Sequence, residues 1–376
     1  MALTFGNTSA PNSITTYLDS LFALSIANYR KTLTDNIGAS NAVLHEILES
    51  DAYEECEGGT YIGEPLMYAL AAADFYSGYD ELSTIPTDGI TQADFVWSQM
   101  ACPIVYNMKE VFQNKNKIVD LVKSRIQQSE MGIQETFAQA FLWGNYNNGG
   151  AITTEYVSSN NGSLGVTPLP KLVSYNTSGS AGTALTVGGL NENSYSWWRN
   201  QYATSAATTY SGFIYELLNM YNTVALGTGG PPDLILMDQV TYQNAEHAYF
   251  SIYKRNEGSK DMEYPFENFR FKNARCVLDD KIPDAYSGAP GVETGGIVSP
   301  TTLTYGTAYF LNTKFLKMRY LPERDWEMLT DENGKTFAKP INGDSRVGHV
   351  AWMGNTTINN RRKQGVLAKI ARSYSS

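Results

Sequence analysis

Val187-Gly188-Gly189-Leu190-Asn191-Glu192, followed by Ser196-Trp197-Trp198-Arg199-Asn200-Gln201, is the most specific local pattern in the chain. Two adjacent glycines after the strand-like Leu185-Thr186-Val187 mark a turn. Two adjacent tryptophans at a strand-to-helix passage bury a large area, and the following arginine can pair or cap nearby groups. An ordinary core anchor satisfies the same pattern.

Upstream, residues 107 to 143 read as the best helix of the chain. Ile118, Val122, Ile126, Ile133, Phe137 and Phe141 recur about every four residues, with charged residues on the other faces. No proline interrupts it, and Gly132 is its single glycine. At 1.5 Å per residue it would run roughly 50 Å. Before it, residues 51 to 106 alternate aromatic and β-branched runs with turn signals at Ser77-Gly78, Ile85-Pro86 and Asp88-Gly89. This predicts a long two-stranded excursion with its tip near 78 to 90. An isolated hairpin of that length is marginally stable, so it must lie on another surface. Helices over 14–29 and 41–50 (Val43, Leu44, Ile47, Leu48) precede it as an arm.

Downstream, residues 144 to 192 are polar and glycine-rich, with strand-like pieces at 172–175 and 185–187. A helix over 209–225, a turn at Gly227 to Pro232, a buried strand over 232–237 and an Asp238-capped helix to Phe250 follow. Further strands are expected over 269–278, 305–320 and 347–353, then a turn at Gly354-Asn355 and a last strand over 365–370. Together these elements make an α+β protein.

Charge is segregated along the chain. Between Lys31 and Lys109 there is no lysine or arginine, yet thirteen acids run from Asp35 to Asp94. After Asp344 there is no acid, while Arg346, Arg361, Arg362, Lys363, Lys369 and Arg372 are basic. Such regions suit complementary surfaces that meet, although two solvated faces would read alike.

The 376 residues are 42% hydrophobic and 18% charged, which describes a folded chain with room for a large core. The 25 tyrosines and 32 glycines lean toward strands, long loops and contact surfaces. A net charge of −10 argues against tight nucleic-acid binding, though not against a container for DNA. Cys56, Cys102 and Cys276 form no CxxC and read as reduced thiols of a cytosolic product. Neither a secretory signal nor a membrane span is legible.

Catalytic signatures are missing from the sequence. No phosphate-cradling GxxxxGK[ST], strand-linked GxGxxG or GxSxG occurs, and His45, His247 and His349 lack metal-ligand spacing. Ser251-Ile252-Tyr253-Lys254 matches SxxK without the partner motifs that chemistry needs. Asp279, Asp280 and Asp284 could hold a cation, but a turn after Cys276-Val277-Leu278 explains them equally well.

The Gly-Gly turn and the Trp197-Trp198-Arg199-Asn200 stretch resemble a motif of tailed-bacteriophage major capsid proteins, and the order of elements is similar across nearly the whole chain. The resemblance implies an N-terminal arm (1–50), an extended loop (51–106), and a peripheral domain (107–209) with a spine helix at 107–143. An axial domain (210–305) and a return to the peripheral domain (306–376) complete it. It further implies a structural subunit, without cofactor or catalysis, that assembles through hexamers and pentamers into an icosahedral head around double-stranded DNA. Portal, scaffolding and decoration proteins are the implied partners, the scaffold being separate because no large segment precedes the arm. The implied location is the virion, after synthesis in a bacterial cytoplasm.

Within that frame, the acidic loop residues Glu64, Asp74, Asp80, Glu81 and Asp88 are expected to face a neighbour's Arg361, Arg362 and Lys363. A cellular nanocompartment shell of the same architecture, another virion part, and a hydrolase built on distant acids and His349 are the competing readings.

Some proteins of the resembled family crosslink a loop lysine to an asparagine; the span from Thr32 to Met108 has no lysine to supply that amine. Boiled, reduced and denatured particles should therefore run as one band near 41.5 kDa. A persistent ladder of multimers on the same gel would contradict this.

Overall fold

The computed structural model describes residues 42–49, 51–71, 73, 75–79, 85, 88–113, 121–146, 152–157, 165–175, 185–253, 270–279, 281–286, 293–294, 297–298, 304–330, 336–340 and 343–374. The expected helix over 14–29 lies outside them. The described residues fall into two compact units, one drawn from 101–134 and 326–351, the other from 42–100, 135–325 and 352–374.

Helix α1 (Ala42–Glu49) is followed by β1 (Tyr53–Glu55), β2 (Ile62–Met67), β3 (Ile90–Phe95) and β4 (Ser98–Asn107). Helices α2 (Met108–Gln113), α3 (Leu121–Trp143) and α4 (Leu169–Leu172) come next. The short strands β5 (Thr186–Val187) and β6 (Leu190–Asn191) lead through a 3-10 turn at Ser196–Trp198 to β7 (Gln201–Thr204). Then follow α5 (Tyr210–Ala225), β8 (Leu234–Met237), α6 (Gln239–Tyr253), β9 (Arg270–Phe271) and β10 (Ala274–Leu278). Last come β11 (Glu293–Thr294), β12 (Ile297–Val298), β13 (Gly306–Leu311), β14 (Leu316–Tyr320), β15 (Glu327–Met328), β16 (Ser345–Ile358) and β17 (Gly365–Ile370).

In the larger unit a six-stranded mixed sheet runs in the order β7-β17-β13-β8-β10-β9. Strand β8 sits between parallel β10 and antiparallel β13, and all four of its residues are buried. That is why Leu234-Ile235-Leu236-Met237 reads as an unbroken apolar run. Helix α5 lays Phe213, Leu217, Met220, Tyr221 and Val224, one face at helical spacing, into this core. Its Thr209 cap accepts from the Gly212 amide at 3.3 Å. Asp238 caps α6 through the Thr241 amide at 3.3 Å, accepts from the Thr307 amide of β13 at 3.2 Å, and is held by Arg372. Helix α1 buries Val43, Leu44 and Ile47, and Glu46 pairs with Arg275 of β10 at 2.6 Å.

Residues 135–143 of α3 also belong to this unit and bury Phe137, Phe141, Leu142 and Trp143. Phe137 meets Trp352 edge-on with ring centres 4.8 Å apart, and the Trp143 indole donates to the Lys281 carbonyl at 2.7 Å. Gly144 ends the helix at φ +54, where a β-carbon would stand 2.2 Å from the Thr154 carbonyl oxygen. In the smaller unit, Arg125 of α3 pairs with Glu110 at 3.1 Å and donates to the Val105 carbonyl of β4. There β15 pairs with the first half of β16, at Glu327↔Ala351 and Met328↔Val350.

Several expectations change. The helix read over 107–143 is described as α2 and α3, with 114–120 outside the described residues; α3 passes through Gly132 without a break. The hairpin is β2 on β3 alone, in register Ile62↔Phe95 to Met67↔Ile90, while β1 pairs in parallel with β14. No turn falls at Gly354-Asn355. Those residues pair with Tyr320 and Arg319 of β14, and β16 runs straight through because Gly354 brings its backbone close to the Arg319 carbonyl. The strand-like piece expected over 172–175 is not a strand: Leu172 ends the short helix α4, whose first turn carries Pro170, and 173–175 follow it as turn and coil.

Phe137→Ala should cost about 3–5 kcal/mol, since it empties a fully buried ring site against Trp352. A thermal-unfolding midpoint within a degree of wild type would show that this contact carries no stability.

Candidate assembly interface

The Gly-Gly pair sits at the turn between β5 and β6, with Gly188 at φ +58 and Gly189 at φ +77. A two-residue turn with both positions left-handed favours glycine for its freedom of φ. Gly188 has a second reason. A β-carbon there would lie 2.7 Å from Ala93 Cβ of the hairpin, and its carbonyl accepts the Asp94 amide at 3.0 Å. Trp197 stacks on Tyr68 with centres 5.4 Å apart, at the point where the Tyr68 amide bonds the Gly89 carbonyl. The motif is thus a clasp on the root of the extended loop.

The clasp is fastened from below. Trp198 is buried and donates its indole N–H to the Val187 carbonyl at 3.1 Å. Glu192 Oε2 accepts from Arg361 at 3.1 Å, and both side chains are buried. Arg361 also donates to the carbonyls of Leu172 and Trp198 at 2.9 Å each, and to Asn200 Oδ1 at 3.2 Å. Burial pulls the guanidinium below its usual range, and Glu192 pulls it back up. Two residues on, the Lys363 ammonium donates to the carbonyls of Val224, Ala225, Leu226 and Gly227 at the C-terminal end of α5. That position suits a cation because the last carbonyls of a helix lack partners.

Strand β2 alternates, with Ile62, Glu64 and Leu66 buried and Gly63, Pro65 and Met67 outward. Glu64 Oε1 accepts from Arg319 Nε and from Thr357 Oγ1, each at 2.8 Å, which pins the hairpin to β14 and β16. Beyond the Tyr68–Gly89 bond almost all of the described residues are exposed. Leu70, Phe75, Tyr76, Tyr79 and Ile85 are exposed there, Phe75 and Tyr79 fully.

The structure therefore separates the eight residues expected at an interface. Glu64, Arg361 and Lys363 are buried, with Glu64 bonded to Arg319, Arg361 to Glu192, and Lys363 to helix carbonyls. This corrects their reading as facing surface charges. Asp88 and Arg362 are exposed. Asp74, Asp80 and Glu81 lie outside the described residues. Arg361 and Lys363 turn inward while Arg362 turns outward because the three form one 3-10 turn. Sequence reasoning missed Glu192 and Arg319, the partners of the buried charges; only their place beside strand signals marked them.

No catalytic grouping is assembled among the described residues. Asp279 accepts the amides of Val43 and Lys281, and Asp284 those of Tyr286 and Tyr305; Asp280 lies outside the description. No cluster of three potential metal ligands occurs among the described residues. His247 packs against Tyr210, His349 is exposed on β16, and the side chains of His45 and Ser251 and all of Lys254 lie outside the description. No described helix is long and apolar enough to cross a membrane.

The capsid of Cyanophage A-1(L) superposes with a TM-score of 0.59 at 11% identity, over 91% of this chain and 97% of that one. The chain has the tailed-phage capsid fold. The capsid of an empty GTA particle matches at 0.53 and 10% identity, over 97% and 100%. The SrpI encapsulin of Synechococcus elongatus, on the same fold, matches at 0.54 and 9% identity, over 93% and 95%. No protein-family model matches the sequence, and no curated protein does.

Arg361→Lys should destabilise the chain by about 3 kcal/mol or more, because a point charge cannot serve the same fork of acceptors and leaves Glu192 poorly paired. Denaturant unfolding that matches wild type would show the guanidinium geometry to be dispensable.

Proposed function

We propose that this chain is the major capsid subunit of a tailed phage. It self-assembles through hexamers and pentamers into an icosahedral head that encloses double-stranded DNA without reading its sequence. The observation that carries this reading, beside the fold, is the extended loop. Leu70, Phe75, Tyr76, Tyr79 and Ile85 project from the body without cover from the described residues of their own chain. Burial of each such side chain contributes about 1.5–3 kcal/mol, so a repeated subunit has reason to place them on a neighbour.

In this reading residues 1–50 are the arm, 51–106 the extended loop, 107–209 the peripheral domain with its spine helix, 210–305 the axial domain and 306–376 the return. Asp74, Asp80, Glu81 and Asp88 supply the acidic side of the contact, and Arg362 the basic side. A portal, a separate scaffolding protein and a decoration protein are the proposed further partners. The role is structural, needing no cofactor, and the location is the virion. The encapsulin match supports one rival, a nanocompartment shell on the same fold.

Negative-stain microscopy of the expressed, purified protein tests the proposal. Closed polyhedral shells or hexamers are expected, and a monodisperse monomer under all conditions would defeat it. Shells that package a cellular protein in place of DNA would favour the nanocompartment.

A further inference from the structure

Tyr202 of β7, Tyr175 and Tyr286 form a line of ring contacts, with centres 5.9 and 5.6 Å apart. Tyr305 meets Tyr286 at 5.1 Å, and the Lys369 ammonium stands 5.2 Å from the centre of the Tyr286 ring. At the other end Tyr202 shares an open cleft with the exposed Arg199, whose Nε is tethered to the Glu192 carbonyl at 2.7 Å. The result is a strip of tyrosines with a cation at each end. The ion pairs of this region join Arg361 to Glu192 and Arg372 to Asp238, and they leave Arg199 and Lys369 without an acidic partner among the described residues.

Lys369 reaches the strip through an irregularity in β17. The pairing of β13 with β17 shifts register between Gly306 and Ala308, and Leu367 and Ile370, three residues apart, both join the core cluster. Lys369 absorbs the extra length at φ +57. That conformation suits glycine better than a side chain with a β-carbon. A bulge of this kind re-aims the residue it carries, here onto the tyrosines.

The segments that build the strip, 173–175, 193–205, 285–286, 304–307 and 359–371, contain no acid. The acids that border them are committed: Glu192 to Arg361, Asp284 to the amides of Tyr286 and Tyr305, and Glu216 to Ser205 and the Ala206 amide. In a chain of net charge −10 this is a local reversal of sign. Arginine, lysine and tyrosine are donors of the kind that contact phosphate. An acidic protein segment would want an apolar recess for an anchoring side chain. The tryptophans at the cleft offer none, since Trp198 is buried and Trp197 is stacked on Tyr68. We infer that the strip from Arg199 to Lys369 is a non-specific contact for the sugar-phosphate backbone of double-stranded DNA. The inference rests on the capsid reading for the source of the duplex. Arg362 lines the same cleft but is assigned above to the acidic contact, and the strip does not need it. The negative charge elsewhere on the chain is screened beyond about 8 Å at physiological salt, so it keeps the contact weak without abolishing it.

The test follows the anisotropy of a labelled duplex of about 20 base pairs against the full-length protein, over roughly 50 to 200 mM salt. Two phosphate contacts give weak binding whose log affinity falls against log salt with a slope of about −2. Arg199→Gln with Lys369→Gln should flatten that slope toward zero and weaken low-salt binding roughly tenfold. Lys369→Gly guards against misfolding, because glycine suits φ +57. It should unfold no earlier than wild type and still lose about one unit of slope. Absence of duplex binding at low salt, or unchanged binding and slope in these variants, overturns the inference. So does tighter binding of a glutamate-rich peptide of matched charge, which would mark a protein partner. Microscopy of the same wild-type preparation separates the two readings. Shells without strip-dependent duplex binding leave the capsid reading standing and overturn the strip. Strip-dependent binding by a chain that never forms shells supports the strip and defeats the capsid reading.

Discussion

A guanidinium can be buried where its N–H groups find acceptors and its charge finds a counter-charge. Arg361 meets both conditions, and the residues that meet them come from three separated parts of the chain. Leu172 lies at the end of α4, Glu192, Trp198 and Asn200 lie in the clasp, and Arg361 itself precedes β17. Removing any of these partners leaves a buried polar group without its mate, so the segments are locked to one register. The parallel pairing of β7 with β17, from Gly365↔Gln201 onward, begins directly beside this site.

From that anchor the order of the loop follows. The clasp is held on its inner side by Glu192 and Trp198, and its outer side therefore presents Gly188 to Ala93 and Trp197 to Tyr68. Glu64 supplies a second buried pin with Arg319 and Thr357. Two ionic contacts hold the base of the hairpin, while its far end is left with apolar side chains in solvent. The base is pre-organised, and pre-organisation of that kind lowers the entropy lost on any association. Lys363, capping α5 from the same 3-10 turn, ties the helix to the anchor.

Much of the architecture is legible in periodicity. The apolar stripe of α5, the buried run of β8 and the Asp238 cap sit where the residues put them, because each rests on short-range spacing and burial. The elements that differ rest on long-range pairing. Gly354-Asn355 looks like a turn until β14 is beside it. Residues 53–55 look like part of a hairpin until they pair with β14 instead. Residues 169–172 show no helical period because a single turn is too short to have one.

The order of residues sets which groups are available: a stretch of acids without lysine or arginine, a basic C-terminal segment, and a Gly-Gly turn ahead of two tryptophans. It could not determine which charges meet solvent. Arg361, Arg362 and Lys363 are three adjacent cations with equal claims to the surface, and their fates differ because the 3-10 turn points successive side chains in directions about 120° apart. Burial of the first and third is possible only where Glu192 and the last carbonyls of α5 stand, and those lie 169 and about 137 residues away in the chain. Tertiary structure makes that decision because the cost of desolvating a charge depends on acceptors that no local pattern places.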